Sequence, residues 1–301
     1  VNTRLKKVFA NINFWIMLAP ALIWMVLFNI VPMFGITMAF QDFNPSLGIL
    51  GSKWVGLKNF NYMFQLSDTR QIFFNTIFIA GLKIIFNLLV PVTFALMLNE
   101  VRQAGFKKGV QTIVYLPHFL SWVILAGILL DVFAYSGPVN RILEAVFGME
   151  PVKFFAKASL FRWFAIFSDV WKEFGFNAVI YLAALTGINL NLYEAAAIDG
   201  ASKWKRTWHI TLPGISNTIV LMTILGLGSV LNAGFDQIFN LYNPLVYATG
   251  DIIDTWVYRV GLQNLQFSLA TAVGLLKSVV GFIMITTSYG LAYKFADYKV
   301  F

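Results

Sequence analysis

Lysines and carboxylates are scarce inside the long apolar runs of this chain, so those that occur there need a chemical reason. Lys83, Asp131, Asp169, Lys172, Glu173 and Lys277 all lie within or at the ends of such runs. A bare charge in hydrocarbon is costly, so these groups must face a bundle interior, an aqueous cavity or a partner. Each either locks helices together through an ion pair or hydrogen bond, or touches a polar solute, and the sequence leaves both roles open. Asp169 and Glu173 are one helical step of four apart. Their carboxylates share a face and repel unless a cation lies close, and Lys172 is the expected cation. Neutral groups offer a second chemistry. Asn75, Asn87, Asn177, Asn232, Asp236 and Gln237 supply hydrogen-bond partners for hydroxyl groups, while Trp171 and Tyr181 supply flat apolar faces. Weak, reversible recognition of a polyhydroxylated solute needs that combination. Most of the 30 Phe, 9 Trp and 11 Tyr must nevertheless face lipid, core or interface.

Catalytic constellations are missing from the sequence. No GxxxxGK[ST] phosphate loop, HExxH or GxSxG stretch occurs, so any ATP is expected on another chain and this one is read as non-catalytic. There is no cysteine, and His118 and His209 are the only histidines, so neither a thiolate nor a histidine-rich metal site is expected. The competing chemistry is an ion relay through Lys83, Asp131, Glu173 and Lys277, as in an ion-coupled secondary carrier. Such carriers commonly hold two repeats and more spans in one chain.

The elements that position these residues follow from composition. Of 301 residues, 58% are hydrophobic and 12% charged, and the mean hydropathy is +0.72, which places the chain in a bilayer. Crossing one takes about 20 apolar residues in a helix. Six windows qualify, at about 13–40, 71–99, 110–134, 161–188, 214–240 and 269–293. The expectation is one all-α membrane domain over 1–301. Continuous apolar runs exclude β-barrel strands, which alternate. The first run follows Arg4, Lys6 and Lys7 but far exceeds the roughly 7–15 residue core of a signal peptide, so it is read as a span.

Basic residues set the orientation. Segments 1–12, 100–109, 189–213 and 294–301 carry Arg4, Lys6, Lys7, Arg102, Lys107, Lys108, Lys203, Lys205, Arg206, Lys294 and Lys299. The longer segments on the other side carry seven: Lys53, Lys58, Arg70, Arg141, Lys153, Lys157 and Arg259. The positive-inside rule then places both termini in the cytoplasm. The net charge of +8 is spread along membrane flanks and forms no stripe for nucleic acid.

One polar interruption stands out on the cytoplasmic side, "EAAAIDGASKWKRTWHITLP" from Glu194 to Pro213. Strong helix formers run to Ile198, and Gly200 suits a left-handed helix end. A second helix is expected from Ser202, with Trp204, Trp208 and Leu212 forming an apolar stripe that Pro213 closes. On periodicity alone, a docking element and an interfacial helix lying on headgroups are equally good readings.

The pattern Glu194, Ala195, Ala196, Asp199, Gly200, Ala201, Ile210, Leu212 and Pro213 resembles the EAA loop of ABC importer permeases. The stretches "YLPHFLSWVILAGILLDVF", "FNLYNPLVYATGDIIDTWVYRVGLQ" and "FSLATAVGLLKSVVGF" extend the likeness to the carbohydrate-uptake permeases related to the maltose importer. Within these they point to the subgroup that imports fragments of complex polysaccharides, bacterial alginate importers among them. The resemblance implies a type I importer fold with six transmembrane helices, in the bacterial inner membrane. It implies a coupling loop over 189–213 that docks on a separate ATPase, with Glu194 and Asp199 meeting basic groups there. The implied partners are a second homologous permease in a heterodimer, two ATP-binding subunits that hold ATP and Mg, an extracytoplasmic sugar-binding protein and an oligosaccharide. Tyr242, Asp251 and Asp254 are the expected contacts to the binding protein, the two aspartates pairing with its basic residues.

Overall fold

The computed structural model describes residues 12–296, with side chains through Gly290. Arg4, Lys6, Lys7 and Lys299 lie outside the described residues, as does the side chain of Lys294. Two compact units emerge. One holds the described residues through Leu66 together with Val257–Leu276, the other Ser67–Trp256 and the described residues from Lys277 onward.

In the first unit a helix of 29 residues, α1 (Ile12–Phe40), is apolar enough to span a bilayer, and none of its most apolar window is buried. A π turn over Val26–Ile30 precedes Pro32, where the missing N–H forces the helical register to shift. Two short antiparallel strands follow, β1 (Gln41–Asp42) and β2 (Lys53–Trp54), with Gln41 opposite Trp54. Helix α2 (Lys58–Gln65) is tied back to them by Asn59, whose amide donates to the carbonyls of Ala39 and Gln41, both at 2.9 Å. The backbone N–H of Phe43 donates to Ser268 Oγ at 2.9 Å.

The second unit is a helical bundle around α3 (Ser67–Asn99) and α7 (Ala158–Thr186). Between them run α4 (Ala104–Phe119) and α5 (Trp122–Val132), then α6 (Pro138–Phe147). After α7 come α8 (Leu190–Ile198), α9 (Lys203–Gly214) and α10 (Ser216–Gly228), α11 (Phe235–Leu241) and α12 (Ile253–Tyr258). The last helix, α13 (Phe267–Ala296), begins in the first unit and ends in the second. One core joins Ile79, Leu125, Phe161, Ile166, Ile238 and Ile252, and another joins Val92, Ala95, Ala178, Tyr181, Leu185 and Ile215. Both are close-packed apolar contacts between α3, α7 and the helices beside them.

Among the described residues, three helices are long and apolar enough to cross a membrane, and counting each bent pair as one span gives up to six. Two expected windows are not straight. The 110–134 window bends by 105° between α4 and α5. Pro117 sits in a 3-10 turn there, Leu120 is extended, and Ser121 Oγ accepts the N–H of Ile124 at 3.3 Å to start a new helix. The 214–240 window is broken between Gly228 and Phe235. Gly234, at φ +95°, adopts the left-handed conformation that restarts the chain as α11.

Candidate functional site

The break at 229–234 is where the polar residues of the bundle converge. Ser229, Asn232 and Gly234 form one wall of a cavity of about 250 Å³, Lys83 and Asn87 of α3 another, and Asp169, Asn177 and Tyr181 of α7 a third. Lys83 is buried, and its Nζ lies 3.0 Å from Asp169 Oδ1 and donates at 2.7 Å to the carbonyl of Ala233. It also donates to Gln237 Oε1, so three directions of the ammonium are used. Gln237 in turn donates to Ala165 O at 2.7 Å and Ser168 Oγ at 2.8 Å. The ionic centre thus clamps the unwound segment onto α3 and α7.

Asn87 completes the cluster and leaves something over. Its Nδ2 donates to Asp169 Oδ2 at 3.0 Å, which fixes the amide orientation, because a carboxylate accepts and does not donate. Its Oδ1 is then buried without a hydrogen-bond partner. A buried acceptor left unmatched is costly, and this one belongs to a residue that lines the cavity.

The remaining ionisable groups go to separate partners. Lys172 pairs with its neighbour Glu173 at 3.0 Å and donates to His118 O at 2.7 Å, while His118 Nδ1 lies 2.6 Å from Glu173 Oε2. The expectation that Lys172 neutralises Asp169 is therefore corrected. Lys83 on the facing helix does so, and Lys172 instead clips the turn at His118 to α7. Lys277 Nζ lies 2.5 Å from Asp254 Oδ1 and 3.1 Å from Asn232 Oδ1, so it too holds the broken segment. Asp131 is exposed at the end of α5. Lys83, Asp131, Glu173 and Lys277 are thus not paired into one chain, and the relay expected of an ion-coupled carrier is not formed.

Several other expectations change. Asn75 is fully buried, donating to Asp251 O at 3.0 Å and accepting from Arg162 at 2.7 Å, so it braces the 247–255 segment and does not line the cavity. Trp171 sits on an apolar groove with Trp163 and Phe167, and Asp236 is exposed at the start of α11. Asp251 is buried and accepts from the Thr255 hydroxyl at 2.7 Å. With Asp254 committed to Lys277, neither aspartate is free to meet a partner's basic residue, because each balances polar groups of its own fold. Tyr242 is half-buried against Tyr247 at 5.0 Å between ring centres. Sequence reasoning missed Arg162, Ser229 and the pairing of His118 with Glu173. Arg162, at the start of the fourth window, was the most readable of these, being a charge at the edge of an apolar run.

The polar interruption folds as two helices. Ile198 is the last residue of α8, and Gly200 follows at φ +74°. The N–H of Ala201 donates to Ala196 O at 2.8 Å and that of Gly200 to Ala197 O at 3.1 Å, the paired bonds of a Schellman end. Ser202 Oγ caps α9 by accepting from Lys205 N at 3.4 Å. Tyr193 OH and Thr211 Oγ1, 2.9 Å apart, tie the two helices together. Pro213 does not end α9. The helix runs to Gly214 and turns by 58° into α10, with Ile215 buried at the pivot. Glu194, Ala195 and Asp199 are exposed and Ala196, Ala201, Ile210 and Leu212 half-buried, so among the described residues nothing covers the acidic groups at this small-residue face.

Residues 87–287 match the family described as the binding-protein-dependent transport system inner membrane component. The chain belongs to that family. The matched residues include the cavity from Asn87 onward and the whole bent-helix loop, so this is an integral membrane permease. It is 42% identical over 287 residues to the polygalacturonan/rhamnogalacturonan transport system permease protein YteP of Bacillus subtilis (strain 168), covering 95% of the permease and 89% of that relative. Protein LplB of the same organism is 40% identical, with 95% and 90% covered. A solved bacterial ABC transporter involved in the import of the acidic polysaccharide alginate has a chain of the same fold. It is 38% identical with TM-score 0.88, covering 97% of the permease and 98% of that chain. A second structure, with an alginate pentasaccharide-bound periplasmic protein, matches at TM-score 0.86 and 38% identity, with 96% of each chain covered.

Proposed function

We propose that this permease forms half of the pore of an ATP-driven importer for oligosaccharides cut from acidic polysaccharides, working by alternating access. A second homologous permease completes the pore, two separate subunits bind and hydrolyse ATP with Mg, and an extracytoplasmic binding protein delivers the sugar. Both termini and the loop 189–213 face the cytoplasm in this reading. Closure of the ATP-binding subunits pushes on α8, and the Schellman turn at Gly200 passes the displacement to α9 and α10.

The observation that carries the cargo assignment is the cavity itself, where the amides of Asn87, Asn177 and Asn232 and the hydroxyl of Ser229 line one recess beside the helix break. Sugar hydroxyls exchange hydrogen bonds with amide and hydroxyl groups of this kind, while the Tyr181 ring, 1% exposed, packs in the core and supplies no stacking face. Few hydrogen bonds of this kind give weak binding, which a path must have to release its cargo. The acidic character of the sugar rests on the relatives' substrates.

The test is ATP hydrolysis and uptake in proteoliposomes holding both permeases, the ATPase and the binding protein, supplied with acidic or neutral oligosaccharides. Acidic fragments should stimulate hydrolysis. Glu194→Lys should abolish stimulation while the complex stays assembled, and Asn87→Leu should lower uptake with assembly intact. Uptake that follows an imposed proton gradient without ATP would overturn the reading.

A further inference from the structure

Two recesses meet on the side of the bundle that carries the bent-helix loop. An apolar groove of about 640 Å³ runs between α3, through Leu89, Val92 and Leu96, and α9, through Trp204, Trp208 and Leu212. The two indoles stack at 5.9 Å between centres and are 72% and 58% exposed, as aromatic residues are at a membrane interface. At its end the groove shares Glu100, Lys203 and Thr207 with a small polar recess of about 150 Å³, which Arg102, Arg206 and Tyr193 also line.

Charge in the recess is unbalanced. Glu100 pairs with Lys203 at 3.3 Å, and among the described lining residues Arg102 and Arg206 remain as an excess of two cations. Arg206 Nε is buried and has no hydrogen-bond partner, while the nearby hydroxyls of Tyr193 and Thr211 are bonded to each other. The buried Nε holds the guanidinium in place, Arg206 and Arg102 both line the recess, and a phosphate oxygen is the acceptor that guanidinium geometry suits best. An occupant must therefore be apolar along the groove and anionic at one end. Free phosphate accounts for the recess but leaves the groove empty, and a neutral lipid fills the groove but leaves Arg206 unmatched.

We propose that the groove and recess together bind one anionic phospholipid, its acyl chain between α3 and α9 and its phosphate on Arg206 and Arg102. The site sits on the second helix of the coupling loop, so bilayer charge would act on the same element that meets the ATPase. The inference requires only that this face lies at a membrane surface and is independent of the cargo.

The experiment places the full chain in nanodiscs of phosphatidylcholine doped with lipid brominated on its acyl chains. Quenching of Trp204 and Trp208 is obtained by difference from the Trp204→Phe/Trp208→Phe variant. Brominated phosphatidylglycerol should quench this component at several-fold lower mole fraction than brominated phosphatidylcholine. Arg206→Gln should cut that preference by about fivefold, the effect of one basic residue near an anionic headgroup. Arg102→Gln, at an exposed position, should act in the same direction if Arg206→Gln fails to fold. Equal quenching by the two lipids would overturn the proposal. So would quenching by neither, which would mean that protein covers the groove, and so would displacement of the brominated lipid by inorganic phosphate alone, which would mark a free-anion site.

Discussion

Removing Lys83 tests whether the buried ionic centre holds the broken helix in place. In Lys83→Met the carboxylate of Asp169 keeps only the Asn87 N–H, and the carbonyl of Ala233 and Oε1 of Gln237 lose their donor. Truncating one partner of a buried pair costs about 3–5 kcal/mol, because the other charge stays in place without compensation. Asp169→Leu should cost a similar amount by stranding Lys83. The double variant removes both charges and should be no less stable than either single variant, leaving mainly the unmatched polar groups at about 1–3 kcal/mol each. The coupling energy is then about 3 kcal/mol, at the upper end for residues in direct contact. It is read from reversible unfolding of the four proteins in mixed micelles. Additive losses, with a coupling below about 0.5 kcal/mol, would refute the claim that Lys83 and Asp169 act as one unit.

Two further perturbations probe the loop and the region between α5 and α7. Gly200→Pro fixes φ near −65°, which is incompatible with the observed +74°, and deletes the N–H that bonds Ala197 O. It should cost about 3 kcal/mol locally and separate ATP hydrolysis from uptake. Gly200→Asn, which tolerates left-handed backbone, should retain coupling, and normal uptake by the Pro variant would remove the turn from the mechanism. Asn140 is 1% exposed and donates to Ala134 O at 3.0 Å and Val152 O at 2.9 Å while accepting from Val152 N at 2.8 Å. Asn140→Ala should destabilise by about 2–4 kcal/mol and speed hydrogen exchange at the Val152 amide, and an unchanged exchange rate would show that the loop is held by other contacts.

The sequence disclosed the membrane class, the long helices and the loop because each depends on local information. Hydropathy over twenty residues marks a span, and Gly200 after a run of alanines marks a helix end whatever surrounds it. The breaks at Leu120 and at 229–234 stayed hidden because an apolar run reads alike whether continuous or broken. Gly234 and Pro117 were visible as residues, but their effect depends on what they pack against. Pairing was hidden for the same reason. Lys172 lies within three residues of both carboxylates it was expected to serve, yet the cation that reaches Asp169 comes from α3, 86 residues away. Asn75 and Asp251 looked like free polar groups because the sequence does not report that they face each other across the bundle.

Under the proposed function, the pairing pattern bears on how an acidic oligosaccharide would cross. Lys83 and Asp169 are the charged residues lining the cavity, and they neutralise one another. Lys172 is taken by Glu173 and Lys277 by Asp254. No lysine lining the cavity therefore stands ready to trap a carboxylate, and what the cavity offers a cargo is amide and hydroxyl surface. A free buried cation would bind an anionic sugar strongly and release it slowly, since charge-assisted bonds in a low-dielectric site are the strong ones. Neutral hydrogen-bonding groups keep the residence short. Selection for charge is then assigned to the stage before the cavity, where the sugar is delivered, and the cavity itself should discriminate poorly between acidic and neutral oligosaccharides of the same shape.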